Sequence, residues 1–164
     1  MRIKHTLLAS LAATLLSPAI ALAEQHNLQV SVEAQVPSPD GLQISPVGDW
    51  AGVTQRMNWN IATQTLDPIQ RQLNMKSGLG EIKAYLTDAA LLTSGANSIE
   101  MNVSVHGKAL TVGPTTPAVI LTDVEAAAGR QVDVRIAAAA APVGGYVAGT
   151  YQGNVFMMFE SVAP

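Results

Sequence analysis

The 164-residue sequence contains no cysteine, which removes disulfides, thiolate nucleophiles and cysteine metal ligands together. Charge is scarce too: 13% of residues are Asp, Glu, Lys or Arg, and the formal net charge is −3. Lys and Arg are nowhere clustered, so the concentrated basic surface that holds nucleic acid is not expected. Histidine occurs three times among scattered carboxylates, and neither Asp40/Asp49 nor Asp123/Glu125 has the spacing of a calcium loop or belongs to a zinc-ligand set. No apolar run reaches the roughly 20 residues that cross a bilayer. Aromatic residues make up 4% of the chain, so stability has to come from aliphatic packing and backbone pairing.

Catalytic arrangements are equally thin. Ser98, Ser104 and Ser161 could be combined with His26 or His106, but no Gly-x-Ser-x-Gly elbow is present. His26 sits on a terminal strand pattern, and His106-Gly107-Lys108 reads as a hairpin tip, where a solvated turn residue is the ordinary occupant. Gly78-Leu79-Gly80 lacks the helix pattern that would come after a phosphate loop. No catalytic residue, cofactor or metal ligand is expected, and the chain reads as a binding or building module rather than an enzyme.

The features that are present begin with a leader. Arg2 and Lys4 precede the apolar run Leu7 to Leu16, and Ala21-Leu22-Ala23 gives a small-x-small cleavage pattern before Glu24. Residues 1–23 are therefore expected to be a secretory signal peptide. Two of the nine basic residues lie in it, so its removal deepens the acidic excess. The chain beyond the leader has the size of a single domain.

Directly behind the cleavage pattern, Leu28, Val30, Val32, Ala34 and Val36 alternate with Gln29, Ser31, Glu33 and Gln35. Alternate side chains of a strand face opposite ways, so this segment is apolar on one face and polar on the other. Pro37, Pro39 and Asp40-Gly41 cut it off from the rest. Residues 24–37 are thus expected to form a detachable N-terminal strand suited to completing a sheet, including one in another molecule, and residues 38–164 the domain itself.

Within that domain, short β-forming runs separated by Gly, Pro, Asn and Asp predict an all-β sandwich or barrel of about eight strands. Strands are expected at Leu42 to Val47, Val53 to Ile61 with Met57 and Trp59 inward, Leu66 to Met75, Gly80 to Leu86 and Ser98 to Val105. Further strands are expected at Ala109 to Val112, Gln131 to Ala137 and Tyr151 to Phe159. Asp88 to Leu92 reads as a helical turn or a loop, Gly113 to Pro117 as a loop, and Ala126 to Gly129 as one helical turn. In the last strand Tyr151, Val155, Met157 and Phe159 share a face, and Gly153 between them marks a place where something approaches closely.

The order of these segments resembles one family. Asn27-Leu28-x-Val30 through Val36-Pro37, Ser98 to Val105 with Gly107, Gln131 to Ile136, and the Tyr151/Gly153/Val155 ending are similar in sequence order to the major pilins of colonisation-factor (CFA/I type) fimbriae. Trp59, the alanine-rich stretch 137–141 and the Val162-Ala163-Pro164 tail depart from that pattern. The resemblance implies an immunoglobulin-like β-sandwich that is incomplete and finished by an N-terminal donor strand. It implies a major structural subunit of a surface fimbria, supporting adhesion and built by the alternate chaperone–usher pathway. Its implied partners are identical subunits in a head-to-tail polymer, a periplasmic chaperone, an outer-membrane usher and a tip adhesin, on the surface of a Gram-negative bacterium. Leu28, Val30, Val32, Ala34 and Val36 would then be the inserting residues, and Tyr151, Gly153 and Val155 the terminal strand motif. A fimbrial tip or minor adhesin binding a carbohydrate or protein receptor is the alternative, disfavoured because the chain has no room for an extra binding domain.

Overall fold

Aliphatic residues recur at alternate positions through the middle of the chain. In the computed structural model, which describes residues 40–163, the longest such runs are strands with one buried face. The elements in order are β1 (Gln43–Pro46), β2 (Trp59–Asn60), β3 (Thr65–Leu66), β4 (Ile69–Lys76), β5 (Glu81–Leu86) and β6 (Leu91–Ser94). Next come β7 (Asn97–Val105), β8 (Lys108–Ala109), β9 (Ala118–Leu121), α1 (Asp123–Ala128), β10 (Arg130–Ala138) and β11 (Met157–Val162). The larger sheet has the order β1-β4-β10-β7-β6, with β8 beside β7; the smaller has the order β11-β5-β9. β2 and β3 form a separate hairpin.

Register places apolar residues opposite one another. Val132 faces Leu73, Val134 faces Val105 and Ile136 faces Val103 across antiparallel ladders. One core lies between the two sheets: Leu73 and Met75 of β4, Met101, Val103 and Val105 of β7, and Val132, Val134 and Ile136 of β10 meet Ile82, Ala84 and Leu86 of β5 and Ile120 and Leu121 of β9. The sandwich is all-β apart from α1, as the strand pattern predicts.

Several elements differ from the sequence reading, each for a local reason. The alternation over 53–61 yields only β2, because Asn60 turns its side chain back on its own chain. Its Oδ1 accepts from the N–H groups of Ala62 and Thr63, a local bond that competes with a ladder. Met57 packs on the core but Trp59 is 50% exposed, so the paired inward placement of the two holds for Met57 alone. Asp88 to Leu92 leads into β6, because the chain passes from the smaller sheet to the larger between β5 and β6. β9 has no counterpart in the strand pattern; its four residues come after Pro117 and lack a full alternation. The described chain has eleven strands, several of only two residues, against the eight expected.

The helical turn expected at Ala126 grows into α1 because its N-terminus is capped. Glu125 Oε2 accepts from the Thr122 N–H at 3.2 Å and from the Thr122 hydroxyl at 3.0 Å. These bonds favour the ionised carboxylate, and they hold the Glu125 pKa below its ordinary value, the backbone bond contributing most. A carboxylate with a lowered folded pKa contributes stability that is complete above its unfolded pKa and lost as pH falls through the folded one. Glu125→Ala is therefore expected to lower the unfolding midpoint in denaturant at neutral pH. The difference from wild type should shrink as the buffer is acidified through and below the ordinary carboxylate range.

Candidate functional site

One side of the sandwich is bounded by edges. β4 and β5 are consecutive strands in opposite sheets, and their neighbours on one flank are β1 and β11, where the order of described strands ends. On the other flank β5 pairs β9 and β4 pairs β10, and α1 joins these two while packing against β4, β5 and β9. The β1/β11 flank carries no such bridge among the described residues.

The core is correspondingly thinner there. Inward residues of the inner strands are buried, whereas Leu42 and Ile44 beside β4, and Met157 and Phe159 of β11, pack on the core while only half-buried. β11 pairs with β5 from Met157 opposite Leu86 to Val162 opposite Glu81, and among the described residues no strand lies on its outer side. An edge strand of this kind presents a row of main-chain donors and acceptors, here next to half-buried apolar side chains. Its chemistry suits an added strand whose apolar residues alternate.

Both edges are anchored at one pole, by the turn joining β4 to β5. Gly78 N donates to the Asp40 carbonyl at 3.0 Å, just before β1, and Ser77 Oγ lies 2.7 Å from Ser161 Oγ of β11. Ser77 is completely buried, yet its N–H donates to Ala126 O of α1 at 2.9 Å and its Oγ accepts from Leu79 N at 3.1 Å. One small side chain thus ties the turn to the last strand, and its N–H ties the turn to α1. Gly80 permits the close approach: at φ +138°, a Cβ there would collide with the Val162 carbonyl oxygen.

The expected inserting residues Leu28, Val30, Val32, Ala34 and Val36 lie outside the described residues, as do the leader and the segment 24–37. Tyr151, Gly153 and Val155 precede the regular strand, which begins at Met157 rather than at Tyr151. They run past the edge of β6 instead. Gln152 pairs with Thr93 through N–H···O bonds of 2.8 and 3.0 Å, and a Cβ on Gly153 would collide with the Leu91 carbonyl oxygen. The glycine thus marks a close approach, as its position in the pattern suggests, and the approaching group is the chain's own β6. The Tyr151 hydroxyl donates to Val147 O at 2.9 Å, and Val155 packs on the core. Sequence reasoning does not single out Leu42 and Ile44; the signal available is their alternation just before a proline-ended edge strand.

Elsewhere, two shallow depressions lie on the outer face of the larger sheet. One is lined by Gln43, Ser45, Asn74 and Gln131 with Lys76 and Arg130, the other by Gln70, Gln72 and Asp133 with Arg71. Asp133 is occupied by Gln72, which donates at 2.9 Å, and Arg71 by Gln55 Oε1 at 2.6 and 2.9 Å. Among the described residues no group of three His, Cys, Asp or Glu is placed to hold a metal ion.

A family model described as the CS1 type fimbrial major subunit matches residues 26–160. The chain belongs to this family. It is a major structural subunit of a surface fimbria, a building block that polymerises with other subunits. The same architecture is present in the CooA pilin subunit from enterotoxigenic Escherichia coli, with a TM-score of 0.54 at 16% identity. That alignment covers 76% of this chain and 99% of the other, a likeness of fold. No curated protein sequence matches the chain.

The β4–β5 turn is expected to be the most sensitive point of the edge. Gly80→Ala should destabilise the domain by about 1–3 kcal/mol through backbone strain and the displaced Val162 carbonyl. Hydrogen exchange would show it first at the C-terminal end of β11, while amides of β7 and β10 keep their protection.

Proposed function

We propose that this subunit polymerises by donor-strand complementation: residues 27–36 of one copy fill the β1/β11 flank of the next, pairing with the outer edge of β11. What supports the reading is the match between two patterns. A strand with Leu28, Val30, Val32, Ala34 and Val36 on one face meets a sandwich whose inward residues Ile44, Met157 and Phe159 are only half-buried where β11 ends the strand order. Main-chain bonds would supply affinity, and the alternation would fix register, since a slip of one residue turns every apolar side chain to solvent.

Burying a Val or Leu side chain is worth about 1.5–3 kcal/mol, so four of them with Ala34 give on the order of 8–12 kcal/mol before ordering costs. That equals the whole stability of an ordinary domain. Such a contact dissociates slowly, and being head-to-tail it propagates as a filament rather than closing as a dimer. Before it forms, an apolar edge of this kind invites aggregation. A periplasmic chaperone that covers the edge, an outer-membrane usher that exchanges it and a tip adhesin that begins the fibre are the partners this chemistry calls for. The leader 1–23 would route the subunit to them.

Val32→Asp is expected to abolish fimbriae in electron micrographs of expressing cells, because it puts a carboxylate in the middle of the buried face. Phe159→Asp, on the receiving edge, should do the same, and mixing the two variants should not restore filaments longer than a dimer. Normal filaments from cells carrying Val32→Asp would remove the inserting-strand assignment.

A further inference from the structure

The two poles of the domain carry apolar residues that the core does not use. At the pole of the β4–β5 turn, Leu79 is 51% exposed, and Val124 on the adjacent α1 is 80% exposed. At the opposite pole, beyond the C-terminal end of β10, the Tyr146 hydroxyl donates to the Ala139 carbonyl, and its ring meets Trp59 edge to face with centroids 6.2 Å apart. Around this pair Trp59 is 50%, Ile61 82% and Val147 57% exposed. Scattered apolar residues are normal on a surface, but an aromatic pair flanked by exposed aliphatics on loops is the composition of a contact.

The chain itself says what can reach that contact. Asp40 is fixed at the turn pole by its bond to Gly78. Four peptide steps separate it from Val36, the last inserting residue, and a chain spans at most about 3.3–3.6 Å per residue, roughly 14 Å in all. The turn pole of a donor must therefore lie against whichever end of the neighbour's flank receives Val36. Every ladder between the named strands is antiparallel. A strand added antiparallel to β11, the more stable pairing, ends beside Met157, at the pole of Trp59 and Tyr146.

The geometry points to a second contact between copies, resting on the donor-strand reading above: Leu79 and Val124 at the turn pole of one subunit seat on the Trp59, Ile61, Tyr146 and Val147 surface of the next. The inserted strand holds two subunits together, and this contact sets the angle between them. It is apolar on both sides, so it survives high salt.

The absence of cysteine makes the test direct. A subunit carrying both Ile61→Cys and Leu79→Cys is expressed in cells that assemble fimbriae, and the fimbriae are oxidised mildly and boiled in detergent. A ladder of covalent oligomers that reductant collapses to monomer is expected, and neither single variant, with one thiol per subunit, should give even a disulfide-linked dimer. Fimbriae of the double variant that give no ladder overturn the contact, and a disulfide-linked dimer from Leu79→Cys alone overturns it by placing like poles together. If the double variant does not assemble, wild-type fimbriae exposed to hydroxyl radicals decide the matter. Trp59 is expected to be oxidised several-fold less in them than in unassembled Val32→Asp subunits, and equal oxidation rejects the contact. Failure of the underlying reading looks different: Val32→Asp would then assemble as well as wild type.

Discussion

The structure turns on a sandwich whose described strand order ends at an uncovered edge. Every inner strand has a ladder on both sides and buries its alternate residues, whereas β11 has β5 on one side alone among the described residues and leaves Met157 and Phe159 half-buried. An unpaired peptide edge and an incompletely covered apolar face impose the same demand, because both are satisfied by one more strand of alternating character. The remainder of the domain keeps that demand in place. α1 joins β9 to β10 across the opposite flank, and the β1/β11 flank has no such connection among the described residues.

Keeping such an edge ready for a partner requires that it not collapse, and single residues at the turn pole provide for this. Ser77 is the buried polar residue among the described positions, and its N–H and hydroxyl are bonded to α1, to β11 and within its own turn. A satisfied buried hydroxyl specifies one arrangement, where an aliphatic residue would tolerate several. Gly80 and Gly153 act in the same sense by backbone approach, one bringing the Val162 carbonyl to the turn and the other letting residues 149–153 lie against β6. These contacts fix both ends of the C-terminal segment while its outer edge stays available.

The fold is legible in the sequence over four of its longer alternating runs. β4, β5, β7 and β10 all lie close to their expected bounds, and Gly113 to Pro117 has the expected character of a loop. Short elements are not legible. β9 and β6 are four residues each and owe their strand character to the neighbour they pair with, which no local pattern records. The alternation ending in Trp59 misleads because Asn60 satisfies its neighbours locally and leaves the ring at the surface. Of the open flank, Met157 and Phe159 are visible as one face, but Leu42 and Ile44 are not. Recognising an edge requires knowing the strand order, and that is a property of topology rather than of sequence.

The direction of β11 has a mechanical consequence. It runs from the pole of Tyr146 to the pole of Ser77, joined to β5 along its whole length by an antiparallel ladder from Leu86–Met157 to Glu81–Val162. A pull applied between the two poles therefore loads that ladder in shear, so its bonds must rupture together instead of peeling open one after another. In a filament pulled along that axis, each domain would resist through a whole ladder at once rather than through one bond at a time.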